Sequence, residues 1–159
     1  AQWEWACRAG AGTPFSYGNA EADFSPFANL ADASIALLAV TGINPQPIPN
    51  PSPYEDFIPK DGRFNDGAKV HAPVAHYQPN AWGLFDMHGN VAEWTLSTYK
   101  PYPYVSTDGR DDGHAAGKKV VRGGSWRDRP KRATASYRLA YESWQPVYNV
   151  GFRVMMPVQ

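Results

Sequence analysis

The chain has 159 residues, a length that fits one hydrophobic core and leaves no room for a second full one. Fifteen Lys and Arg balance fifteen Asp and Glu, so no whole-molecule field draws in nucleic acid or an anionic membrane. A single cysteine, Cys7, excludes an internal disulfide, a cysteine-based zinc site and any chemistry needing two thiols from this chain.

Residues 1–9 (Ala1-Gln2-Trp3-Glu4-Trp5-Ala6-Cys7-Arg8-Ala9) are good helix formers without a Met, an N-cap residue or a leader pattern. The sequence reads as opening inside a helix, so upstream residues are expected to be missing and localisation stays open. Gly10-Ala11-Gly12-Thr13-Pro14 ends the helix, and 15–18 form a short extended piece. Apolar residues at Leu30, Ala33, Ile35, Leu37 and Leu38 allow a helix of about three turns over 29–41. Residues 44–59 hold prolines at 45, 47, 49, 51, 53 and 59, which deny backbone donors to helix and sheet alike and predict a long surface loop or insertion. From 61 onward, short apolar pieces at 70, 74, 82–85, 91–94, 120–121 and 150–155 alternate with Gly, Asp and Asn, the spacing of short strands joined by structured loops. Residues 99–118 read as a polar loop. No apolar run approaches the roughly 20 residues of a membrane span, so the chain reads as soluble. Gly 14, Pro 15, Trp 6 and Tyr 9 argue for a turn-rich chain with an aromatic core rather than a long helical bundle.

Four constellations carry candidate chemistry. In 80–94, Asp86 and Glu93 flank His88-Gly89-Asn90, a turn whose carbonyls can point inward. Two carboxylates and several carbonyls suit a hard cation such as Ca²⁺, although the same carboxylates can simply accept from loop amides. In Arg122-Gly123-Gly124-Ser125-Trp126 the paired glycines permit close backbone approach, but neither a nucleophile elbow nor a phosphate loop is present. Arg122 and Arg153 read as buried forks tying loops together. The histidines His71, His76, His88 and His114 lack metal-ligand spacing, and Cys7 reads as a small buried hydrophobe. Arg127, Arg129, Lys131, Arg132 and Arg138 surround Asp128, with Tyr137, Tyr141, Trp144 and Tyr148 nearby. That grouping is either a recognition surface for a carboxylate, a sulfate ester or a peptide, or a solvated basic turn beside core aromatics.

Residues 1–10, Gly83-Leu84-Phe85-Asp86-Met87-His88-Gly89-Asn90-Val91-Ala92-Glu93-Trp94, Arg122-Gly123-Gly124-Ser125-Trp126 and Gly151-Phe152-Arg153 together resemble, in order, the motifs of the formylglycine-generating enzyme or sulfatase-modifying factor family. The resemblance implies an α+β, C-type-lectin-like fold with few helices, short twisted sheets and much structured loop. Residues 1–159 would be the C-terminal two-thirds of one such domain, with 44–59 inserted in it. It implies two structural calcium ions. One would be held by Asp86, Gly89, Val91 and Glu93, and the other by Asn29, Leu30, Asp66 and Ala68, where Ala68 replaces an aromatic residue but a carbonyl ligand is indifferent to the side chain. The family's copper-binding cysteine pair does not carry over, because Asp128 and Ala133 stand in its place, and Cu(I) needs soft thiolates. Formylglycine formation with copper is therefore not expected, and no catalytic residue is assigned. The expected role is the substrate-binding part of an iron-dependent oxidoreductase-type protein, with Asp128, Arg132, Arg138 and Trp126 gripping a small polar molecule or peptide segment and iron supplied from outside this chain. The alternative is a non-catalytic C-type-lectin-like binding module. Either way a monomeric domain of a larger protein is expected.

Overall fold

The structure is a computed structural model and describes residues 1–35, 38–41, 44–47 and 59–156, with backbone alone for 38–41 and 44–47. Helix α1 (Gln2–Arg8) forms where the sequence predicts it, buries Cys7 and carries Arg8 bonded back to Glu4 one turn earlier at 3.1 and 3.0 Å. It ends one residue before the predicted breaker, at Ala9, which adopts a left-handed conformation (φ 46°).

The described residues of 29–41 do not form the expected helix. Asn29 bridges to Gly89, Asp32 bridges to Asp61, and only Ala33–Ile35 makes a 3₁₀ turn. The polar residues Asn29 and Asp32 are fully buried among Leu30, Ala31 and Ile35, so the segment threads the interior as irregular chain instead of turning one apolar face inward. Strand β1 (Leu38–Thr41) follows and pairs antiparallel with β2 (Asn44–Pro47). The predicted loop over 44–59 thus begins as a strand, with Pro45 opposite Val40 and Pro47 opposite Leu38. A two-stranded ribbon consists of edges, where a missing N–H can face outward and cost no ladder bond. Residues 48–58 lie outside the described residues.

The main sheet has the order β5-β4-β3-β6, from β3 (Ala92–Thr98), β4 (Lys118–Arg122), β5 (Leu139–Glu142) and β6 (Val150–Gly151). β4 runs antiparallel to both β3 and β5, whereas β6 is parallel to β3, and a register shift between Trp94 and Thr98 bends β3. The predicted strands at 91–94, 120–121 and the start of 150–155 are present. Those at 70, 74 and 82–85 are loops: Val70 and Leu84 pack against the apolar clusters whereas Val74 and Trp82 are exposed, so no apolar face alternates across a sheet.

Among the described residues three apolar clusters hold these loops to one another and to α1. Phe15, Phe24, Ala28, Leu30 and Ala133 form one, Ile35 and Trp126 a second with Val70 and Tyr148, and Cys7, Met87 and Ala135 a third with Trp3, Ala6 and Leu84. Asn29, Asp32, His88, Asn90, Glu93, Arg122, Ser125 and Asp128 are buried beside them. Buried loop backbone must find partners, and these side chains supply many of them. Arg122 does so as the sequence suggests: it donates to the Ser136 carbonyl at 3.1 Å, pairs with Glu4 at 2.7 Å and lies over Trp3. The fold is the α+β class expected, with few helices and a curled mixed sheet.

Candidate functional site

Two regions gather the residues singled out in the sequence. The first is the crossing of Asn29 and Leu30 with the 86–93 turn. Gly89 is required there: at φ 76° its backbone presses on Asn29 so closely that a Cβ would lie 2.1 Å from the Asn29 carbonyl oxygen. Asn90 N–H donates to that carbonyl at 2.8 Å, and Gly89 N–H donates to Gly123 O at 2.9 Å. The Asn90 side chain fastens the next segment, accepting from Ala72 N–H at 2.9 Å and donating to Ala72 O at 3.2 Å.

Around this crossing lie oxygens short of donors. Asn29 donates through Nδ2 to Val70 O at 2.6 Å, but its Oδ1 is buried with no hydrogen-bond partner. Asp66 accepts one bond on each oxygen, from Leu30 N–H at 2.9 Å and Ala68 N–H at 2.8 Å. Burial, aided by neighbouring Asp32, pushes the Asp66 carboxyl up to about 6. The Ala68 carbonyl accepts from the Ser34 hydroxyl at 2.7 Å. On the other side of the crossing, Asp86 sits at φ 56°, accepts from Ala75 N–H at 2.8 Å through Oδ2, and leaves Oδ1 buried and unpartnered. Asp86, Val91 and Glu93 line one depression of about 340 Å³ with Arg153. Glu93 is the most heavily engaged of them: Arg153 donates to both its oxygens at 2.7–3.1 Å and Trp3 Nε1 donates to Oε2 at 2.7 Å. Arg153 also reaches Phe85 O at 2.8 Å, so this fork, exposed rather than buried as the sequence suggests, ties the last described segment to the turn.

The second region is a depression of about 310 Å³ beside β5, whose wall includes Arg127, Asp128, Arg129, Arg132, Tyr141 and Tyr148. Asp128 is buried and closes its own turn, accepting from Ser125 N–H at 3.1 Å and Ser125 Oγ at 2.7 Å, with Arg132 3.6 Å from its other oxygen. Ser125 Oγ in turn accepts from Asn149 Nδ2 at 2.8 Å, which locks β6 to the same turn. Ala133 is fully buried, and a Cβ on Gly124 would meet it at 2.9 Å, so the paired glycines serve close approach.

Of the four residues expected to bind a ligand, Asp128 and Arg132 share this depression, whereas Trp126, 2% exposed, is core beneath it. Arg138 faces elsewhere, stacked 4.0 Å over the Tyr102 ring and 4.9 Å over Tyr99, with Nη1 donating to Lys100 O at 3.1 Å. Arg127 and Tyr148 line the depression in its place. The sequence showed both residues in the basic and aromatic segment, but nothing in their spacing marked them above their neighbours.

The remaining candidates are structural. Cys7 Sγ lies 3.4 Å from His88 Nε2, yet that nitrogen already accepts from Ser16 N–H at 3.1 Å, while Nδ1 donates to Ala133 O at 2.8 Å. Burial pulls the imidazole down to about 4 and pushes the Cys7 thiol up to about 12, so the pair is a neutral imidazole and a thiol at pH 7, unsuited to nucleophilic work. Among the described residues no group of three or more His, Cys, Asp or Glu side chains is placed to hold a metal ion, and no helix is long and apolar enough to cross a membrane.

A family model described as the sulfatase-modifying factor enzyme 1-like domain matches residues 1–158. The chain belongs to this family. Among relatives of the sulfatase-modifying factor domain, the mouse (Mus musculus) protein named inactive C-alpha-formylglycine-generating enzyme 2 is 36% identical over 106 residues, covering 63% of this chain and 30% of that protein. Mouse formylglycine-generating enzyme is 28% identical over 160 aligned positions, covering 96% of this chain and 37% of that protein. The chain therefore spans about a third of the length of these relatives. The solved structure of PvdO from Pseudomonas aeruginosa superposes with a TM-score of 0.62 at 23% identity, covering 95% of this chain and 48% of that one, which establishes the shared fold of the sulfatase-modifying factor domain.

Proposed function

We propose that this chain is the ligand-binding part of a branch of the sulfatase-modifying factor family that does not make formylglycine with copper, and that its loops are cross-linked by calcium. The observation that carries the first half is the 125–133 turn. Where the family resemblance calls for two thiolates, this chain has a carboxylate already tied to Ser125 and a buried methyl group walled by Gly124. The one thiol, Cys7, is buried on α1 and held protonated, so no Cu(I) donor pair can be assembled from this chain. A mouse relative named inactive accords with this reading.

Calcium is supported by the oxygen sets at the Asn29 crossing. Asn29, Leu30, Asp66 and Ala68 would hold one ion, and Asp86, Gly89, Val91 and Glu93 the other. An amide oxygen and a carboxylate oxygen, both buried without donors, are costly in an empty loop and are the kind of ligand a hard cation takes. Bound there, calcium supplies positive charge that neutralises Asp66 and Asp86 and fixes the crossing loops. Glu93 fits less simply, because Arg153 and Trp3 already occupy its oxygens.

Iron has no candidate ligand set among the described residues, so any redox centre of a larger protein would be built elsewhere and this domain would present the substrate. A non-catalytic C-type-lectin-like binding module is the second reading. Two experiments decide. Purified protein given Cu(I) and a sulfatase thiol peptide is expected to yield no aldehyde, and tight Cu(I) uptake with aldehyde formation would overturn the assignment. A fragment collection screened by ligand-observed NMR is expected to give hits lost on Arg132→Glu. Hits indifferent to that change would remove the depression as the binding site.

A further inference from the structure

The depression beside β5 contains two polar groups that its own structural role leaves unexplained. Arg127 Nε and the Tyr148 hydroxyl are buried; the Arg127 guanidinium leans toward the Tyr148 oxygen, but Nε–H and the phenolic O–H meet no acceptor among the described residues. The two are neighbours, with the Arg127 guanidinium carbon 5.9 Å from the centre of the Tyr148 ring. Leaving a buried donor unpaired costs on the order of 1–3 kcal/mol, and more for a charged group, so two together at the wall of one cavity favour an acceptor placed in it.

The charge around them specifies that acceptor. Arg127, Arg129 and Arg132 all line the cavity, against one carboxylate, Asp128, whose Oδ2 is consumed by Ser125 and whose Oδ1 lies 3.6 Å from Arg132. The excess is positive in a chain whose net charge is zero. Leu139, Tyr141 and Val147 complete the wall with apolar surface. At about 310 Å³ the space is at the small end of ligand cavities, which run from roughly 300 to 1,000 Å³.

We infer that this cavity binds a small ligand through an oxyanion, a carboxylate or sulfate group accepting from Arg127 Nε–H and the Tyr148 O–H, with the ligand's apolar body against Leu139, Tyr141 and Val147. The inference rests on the ligand-binding reading above and narrows it to a ligand class. Burial raises the Tyr148 phenol from its ordinary range, so the hydroxyl remains a donor at neutral pH. Asn149 and Ser125 hold the adjoining backbone through their mutual hydrogen bond, which fixes Tyr148 and Arg127 before any ligand arrives.

Three probes of graded chemistry test it on the whole chain in calcium-containing buffer: benzoate, benzamide of the same shape without charge, and inorganic sulfate. Calorimetric titration is expected to show saturable benzoate binding, benzamide at least about tenfold weaker, and sulfate competing with benzoate. Tyr148→Phe and Arg127→Lys should each weaken benzoate by about tenfold, the second while keeping the charge, with melting temperatures within a few degrees of the parent. If benzamide binds as tightly as benzoate and both substitutions weaken both probes, the cavity binds ligands but the oxyanion assignment is overturned. Absence of saturable benzoate binding, or benzoate binding that ignores both substitutions, overturns it as well. The fragment screen above judges the broader ligand-binding reading independently, since it includes neutral molecules.

Discussion

Gly83 and Gly89 offer a matched pair for measuring how much the crossing with Asn29 contributes. Both have φ of 76°, so an alanine at either position meets the same intrinsic left-handed penalty of about 1 kcal/mol. Nothing lies within 4 Å of a Cβ built on Gly83, whereas the same atom on Gly89 would sit 2.1 Å from Asn29 O, 2.8 Å from its carbonyl carbon and 2.9 Å from Leu30 Cδ2. Two of those three atoms are backbone and cannot rotate aside. The strands must separate, which adds an overpacking cost of about 1–3 kcal/mol and endangers the bonds from Asn90 N–H to Asn29 O and from Gly89 N–H to Gly123 O, each contributing about 1 kcal/mol. Gly83→Ala should therefore cost about 1 kcal/mol and Gly89→Ala about 4 kcal/mol or more, a large share of the roughly 5–15 kcal/mol of a typical domain. In urea unfolding followed by tryptophan fluorescence, with a slope of about 2 kcal/mol per molar, the midpoints should fall by about 0.5 M and 2 M respectively. Midpoints for the two variants within about 0.3 M of each other would refute the close approach and, with it, the geometry on which both calcium proposals rest.

Other outcomes follow from the same contacts. A calcium chelator should lower the melting temperature, since an ion held at a concentration of 100 times its Kd adds about 2.7 kcal/mol; Asp86→Ala and Glu93→Ala should each remove part of that sensitivity, and an unchanged melting curve would dispose of calcium. Burial depresses the folded pKa of His88 from 6.5 to about 4, so below pH 6.5 the unfolded chain takes up a proton that the folded one refuses. That stabilisation is complete above pH 6.5 and is lost toward pH 4, with a slope of about 1.4 kcal/mol per pH unit. The difference between parent and His88→Gln in denaturant titrations across that window should show this slope, and parallel pH profiles would contradict it. Cys7, fully buried with its pKa pushed up to about 12, should react with a thiol reagent at pH 8 only at the rate of global opening; rapid labelling under native conditions would show that α1 detaches on its own.

The sequence by itself carried what depends on nearest neighbours and on chemistry that is simply present or absent. Helix α1, the strands around 91–94 and 120–121, the left-handed turns at Gly89 and Gly124, and the lack of a second thiol could all be read from consecutive residues, because propensity, alternation and composition are local. Residues 29–41 and the prolines of 44–47 misled for the complementary reason. Their apolar spacing and missing donors suggested a helix and a loop, yet buried Asn29 and Asp32 bind loop backbone far along the chain, at Val70 and Asp66, and a ribbon edge tolerates proline. The ligand cavity is the clearest case of what only tertiary structure decided. Trp126 and Arg138 stand as close in sequence to Asp128 as Tyr148 does or closer, but Trp126 is turned into the core and Arg138 onto Tyr99 and Tyr102. Arg127 and Tyr148 reach the same space from opposite ends of β5 because the turn at Ser125 and the start of β6 are locked together by Asn149. A donor's lack of a partner is a property of everything packed around it, and no window of sequence contains that information.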